Sequence, residues 1–152
     1  MKNDTQIIEI IGRNYLVNQL LTAGIEVAIP VRDHGVDLIA YLDIDSIVEG
    51  YAARPIQIKA SSSQIFIIDK KYSRFPHLIL VYIWNLKTSA RTVVFGLNYE
   101  DALLVANEMG YLKTKSWENG KYVTTAPSEK LINLLHPYIM TEEKWISTLR
   151  KF

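Results

Sequence analysis

Hydrophobic and polar positions change period along this chain, and the changes predict a helix followed by a run of strands. Residues 5–23, TQIIEIIGRNYLVNQLLTA, carry apolar residues at helical spacing, with Asp4 or Thr5 placed to cap the start and Gly24 to stop the end. The segment is apolar on more than one side, which predicts a well-buried helix. Residues 25–30 read as a short strand, 31–35 (VRDHG) as a tight turn, 36–43 as a second strand, 44–54 as a loop around Gly50, and 55–61 (PIQIKAS) as a third strand. Residues 63–69 are strand-like and read as an extension of the sheet. A polar, basic stretch at 70–76 ends in Pro76. Residues 77–84, HLILVYIW, are almost continuously apolar, the pattern of a central strand buried on both faces.

Beyond that strand, 92–97 reads as another strand and 98–110 as a capped helix ending at Gly110. Residues 111–126 read as a hairpin or loop turning at Glu118-Asn119-Gly120-Lys121, and 127–135 and 141–150 as helices. No repeat, low-complexity segment or linker interrupts the chain. One helix, several strands and then mixed elements predict a single α/β (or α+β) domain over 1–152, with a mixed central sheet flanked by helices.

Composition narrows the function classes. A chain of 152 residues, 49% hydrophobic and 22% charged, has the makeup of an ordinary globular domain. With no cysteine there is no disulfide framework, thiolate nucleophile or thiolate-bound zinc. No apolar run approaches the roughly 20 residues that span a bilayer, so no membrane partner is expected. Met1-Lys2-Asn3-Asp4 lacks the shape of a signal peptide, and a cytoplasmic location is expected. The net charge of +1 gives no overall basic surface, so a nucleic-acid partner would require clustered cations, weak binding or a homodimer. Three scattered histidines give no zinc spacing, and no glycine-rich phosphate loop or nucleophile elbow is present.

The chemistry concentrates at Asp37, Gln57 and Lys59. Asp37 opens the second strand directly after the Gly35 turn. Side chains alternate along a strand, so Gln57 and Lys59 share one face while Ile56 and Ile58 share the other. Polar groups inside apolar strand runs are costly without partners, so they satisfy one another or serve an ion. A hard cation such as Mg²⁺ or Mn²⁺ takes oxygen ligands, here the Asp37 carboxylate and the Gln57 carbonyl. Such an ion polarises a phosphodiester and acidifies a bound water, and Lys59 would hold that water or stabilise charge on the transition state.

Each residue also has a plainer reading. Asp37 suits a turn cap, Gln57 and Lys59 the solvent face of an edge strand, and Glu9 with Arg13 a helical ion pair. His34 suits a surface loop and Ser61 a polar turn. Lys70, Lys71 and Arg74, interleaved with Tyr72 and Phe75, suit either a DNA contact or a solvated turn.

A leading helix, then G-V-D-L at a strand start, then P-I-Q-I-K-A-S on the next strand, resembles the PD-(D/E)XK nuclease superfamily over residues 5–84. The Gly24-to-Asp37 spacing resembles archaeal Holliday junction resolvases, and Gln57-Ile58-Lys59 resembles the Q-x-K variant of Mrr-type restriction endonucleases. The resemblance implies a restriction-endonuclease-like core with a four-stranded mixed sheet, and Mg²⁺- or Mn²⁺-dependent hydrolysis of DNA. It implies catalytic roles for Glu9, Asp37, Gln57 and Lys59, with Asp37, Gln57 and Glu9 on the metal. The family's helix carries a Glu. Glu9 is the acid inside this helix, and Arg13 occupies the place a resolvase-like alignment gives that Glu. Arg13, His34, Ser61, Lys70, Lys71 and Arg74 are the expected nucleic-acid contacts, and residues 85–152 an extension. The rival expectation is a nuclease-like fold without turnover, acting as a nucleic-acid or protein interaction module.

Overall fold

A computed structural model describes residues 4–42 and 52–150. Helix α1 runs Thr5–Thr22, and its cap is Asp4, whose carboxylate accepts the backbone N–H groups of Gln6 and Ile7. Strands β1 (Glu26–Ala28), β2 (Leu38–Tyr41) and β3 (Ala53–Ala60) follow. Of the loop expected at 44–54, residues 44–51 lie outside the described residues, and Ala53 and Arg54 already belong to β3. Next come β4 (Phe66–Asp69), a 3-10 turn (Lys70–Arg74), β5 (Ile79–Trp84), β6 (Val93–Asn98) and α2 (Tyr99–Glu108). The chain ends with α3 (Lys115–Glu118), β7 (Lys121–Thr124), α4 (Glu129–Leu135) and α5 (Glu142–Arg150).

The main sheet is mixed and has the order β1-β2-β3-β5-β6, one strand more than the resemblance implies. β3 and β5 are parallel and the other neighbours antiparallel. All six residues of β5 are buried, as its unbroken apolar run predicts. Ile79, Val81 and Ile83 enter one core with Leu16 and Leu20 of α1 and Trp145 of α5. Leu80, Tyr82 and Trp84 enter a second core with β4, α2 and α4. Helices therefore cover both faces, and residues after 84 supply the edge strand β6 as well as parts of both cores. Among the described residues no helix is long and apolar enough to cross a membrane.

Two expectations need correction. Residues 63–69 do not extend the main sheet. β5 takes the place beside β3, and β4 pairs instead with β7 in a separate two-stranded sheet. The Tyr82 hydroxyl and the Trp84 indole N–H donate to the carbonyls of Ile67 and Ile65, anchoring this segment over the sheet face. Nor is 111–126 a local hairpin. The Thr114 hydroxyl caps the short helix α3, the expected turn residues Glu118 and Asn119 end that helix, and β7 finds its partner far back in the chain, Lys121 opposite Asp69 of β4.

Helix α1 meets the sheet through Gly12. A Cβ at this position would stand 2.5 Å from the Cβ of Ala60 on β3, so only glycine permits so close an approach.

Candidate functional site

Where β2 begins, Asp37 continues its pairing with β3 by different means. Its backbone N–H donates to the Ile56 carbonyl at 2.8 Å, and its carboxylate accepts the Ile58 N–H at 2.7 Å. Leu38 stands opposite Ile56, while Gln57 and Lys59 stand beside Leu80 and Tyr82 of β5. Alternation then puts Asp37, Gln57 and Lys59 on one face of the sheet. All three line one cleft of about 450 Å³, whose other wall includes Glu9 and Arg13 of α1. A larger cavity of about 850 Å³ opens around Arg54, His77 and the start of α2, but none of these five residues lines it.

The plainer readings fare differently. β3 is an interior strand between β2 and β5, and Gln57 is only 8% exposed, so an edge-strand solvent face does not describe it. The turn cap is Asp33, whose Oδ1 accepts the Gly35 N–H at 3.3 Å. Gly35 itself has φ 90°, and a Cβ there would meet the Phe75 ring at 3.3 Å, so the turn demands glycine on both counts. Among the described residues Glu9 and Arg13 form no ion pair, and both line the cleft. Arg13 is half-buried and Glu9 exposed.

The electrostatics of the cleft centre on two carboxylates. Burial pushes the Asp37 carboxyl up to about 6. The charge of Asp33 and a side-chain hydrogen bond with it push the same way, against the Ile58 N–H and the Lys59 ammonium. Lys59 Nζ also lies 5.6 Å from the ring centre of the buried Tyr72. Gln57 Nε2 reaches toward the Ile58 carbonyl at 3.4 Å, which leaves Gln57 Oε1 buried without a hydrogen-bond partner. Reversing the amide would set oxygen against oxygen at the Ile58 carbonyl, which favours this orientation.

An orphaned buried oxygen costs about 1–3 kcal/mol, and here it shares one cleft with the carboxylates of Asp33 and Asp37. That donor set fits a hard divalent cation. Among the described residues no three His, Asp or Glu side chains gather into a metal-binding group.

The remaining expected contacts lie outside the cleft lining. His34 Nε2 accepts from Arg32 at 3.1 Å in the exposed turn. The Ser61 hydroxyl bonds to Ser63 and shapes a polar turn. Lys70 lies 5.2 Å from the Trp117 ring centre, Lys71 pairs with Asp69 at 3.8 Å, and Arg74 is exposed. Tyr72 is 2% exposed and belongs to the core, not to a base-stacking surface. Asp33 is the residue that the sequence reading passed over. Its signal was a second acid four residues before Asp37, across the same glycine turn.

No protein-family model, curated protein or solved structure matches the chain.

Proposed function

We propose that the protein is a divalent-metal-dependent nuclease that hydrolyses DNA phosphodiester bonds, of the PD-(D/E)XK type. The observation that carries this reading is the convergence of Asp37, Lys59 and the orphaned Gln57 oxygen on one cleft. The Asp37 carboxylate and Gln57 Oε1 would hold Mg²⁺ or Mn²⁺. When bound, the ion supplies Lewis acidity to the scissile phosphate and to water. Lys59 orients the attacking water and neutralises charge on the phosphorus oxygens. Arg13, on the α1 wall of the cleft, offers planar donors that match a phosphate. Glu9 stands at the exposed rim.

The test is incubation of the purified chain with linear, nicked, branched and single-stranded DNA, with and without Mn²⁺. Mn²⁺-dependent cleavage that disappears in Asp37→Ala is the expected result. Undiminished cleavage by Asp37→Ala would remove this site from the reaction. A second reading, an interaction module without turnover, draws on the lack of a three-carboxylate cluster among the described residues. DNA or protein binding with no cleavage under any metal would favour it.

A further inference from the structure

We infer that Asp33, not Glu9, is the second acidic ligand of the cation held by Asp37 and Gln57, reaching it directly or through one water. The inference rests on the metal-dependent reading of the cleft and adds a residue that the motif does not contain.

Three observations carry it. Asp33 and Asp37 both line the cleft, and Asp33 lies near enough for its charge to act on the Asp37 carboxyl. Two carboxylates brought together in this way form a concentration of negative charge that a divalent cation relieves. Independently, Gln57 is nine-tenths buried and lines the same cleft with its Oε1 unpartnered. That oxygen has a reason to be there if an ion coordinates it. Glu9 shares the cleft wall and is exposed, as Asp33 is, but it rides on α1, whereas Asp33 is tied into the turn that delivers Asp37 and its charge acts on the Asp37 carboxyl. Two carboxylates and one carbonyl would give the ion a matched charge and all-oxygen donors, which favours Mg²⁺ or Mn²⁺ over softer metals.

The turn supplies the geometry. Asp33 Oδ1 accepts the Gly35 N–H, which holds the acid at the start of the loop that delivers Asp37. Its other oxygen remains for Asp37 or an ion. Asn at this position keeps an oxygen acceptor for Gly35 and removes the charge, so the turn survives the test.

The experiment is Mn²⁺ binding by the full chain, read by electron paramagnetic resonance of free Mn²⁺ at mildly alkaline pH, without DNA. Wild type should bind and Asp37→Asn should not. Asp33→Asn should weaken binding by about tenfold or more, while Glu9→Gln stays within about twofold of wild type. Asp33→Glu, which restores the charge, should recover part of the loss. If Asp33→Asn misfolds by circular dichroism, Asp33→Ser, whose hydroxyl can also cap Gly35, reads the same quantity. Unchanged affinity in Asp33→Asn beside lost affinity in Asp37→Asn overturns the role of Asp33 and leaves the nuclease reading standing. A loss in Glu9→Gln alone transfers the role to Glu9. A wild-type chain that binds no Mn²⁺ overturns both.

Discussion

Strand β3 buries two polar side chains three residues apart, and their surroundings treat them in opposite ways. Arg54 is 7% exposed, and its guanidinium donates to the His77 carbonyl at 2.8 Å and to the Thr148 carbonyl at 3.3 Å. It ties the start of β3 to the chain entering β5 and to the last helix. Gln57 is buried as deeply, yet its oxygen has no partner. A buried polar group that is satisfied belongs to the architecture, and one left unsatisfied marks a place where something outside the chain is expected.

The largest expected effect lies at the Gln57 end. Asp37→Ala or Lys59→Ala should lower metal-dependent cleavage by at least about a hundredfold with the circular dichroism spectrum unchanged. Cleavage that survives both changes would dissolve the functional half of the contrast. At the other end, Arg54→Ala should cost about 2–4 kcal/mol in urea denaturation, because it leaves two carbonyls unpaired and opens a void. Its Mn²⁺ affinity should match wild type at denaturant-free conditions. Gln57→Leu sharpens the difference. It removes an unsatisfied oxygen, so stability should hold or rise by up to about 1 kcal/mol while Mn²⁺ binding is lost. If Gln57→Leu destabilises as much as Arg54→Ala, the two residues do the same job.

The smallest effect is a change of slope with pH. In the metal-free protein the Asp37 carboxyl titrates at about 6, against an ordinary value of 3.8. The fold therefore holds this proton more tightly than the unfolded chain does. The resulting stability is complete below the ordinary value and is lost as pH rises through about 6. Asp37→Asn keeps an acceptor for the Ile58 N–H and carries no charge. In chelator, its melting temperature should meet that of wild type in acid and exceed it above the folded value. Parallel curves would mean that burial does not penalise the Asp37 charge.

Much of this was legible in the sequence, and the gaps have physical causes. Period 3.6 over 5–23 and the unbroken run at 77–84 specify α1 and β5, because burial on particular faces leaves a periodic trace. Alternation alone put Gln57 and Lys59 on one face. Alternation does not name a strand's partner, so β4 could not be assigned to β7 from its own residues. Arg54 sits in the sequence beside a glycine-containing loop and looks solvated, since its bond to Thr148 spans 94 residues and leaves no local mark. Asp33, beside a glycine turn, reads as turn chemistry, which is half of what it does. Its effect on the Asp37 carboxyl comes from the fold of the Gly35 turn, which no periodicity in the sequence records.

The close approach at Gly12 reaches beyond packing. The cleft has α1 for one wall and β3 for another, and Gly12 is where the helix comes hard against Ala60 of that strand. Glu9 and Arg13 ride on the same helix, three residues before and one after that point. On the proposed nuclease reading, Gly12 is a gauge that sets the gap a phosphate backbone would enter. A methyl group there would have to push the helix away by about an ångström, a displacement large enough to spoil catalytic alignment. Variation at this buried position would then surface as altered affinity for substrate, in a residue that touches neither substrate nor metal.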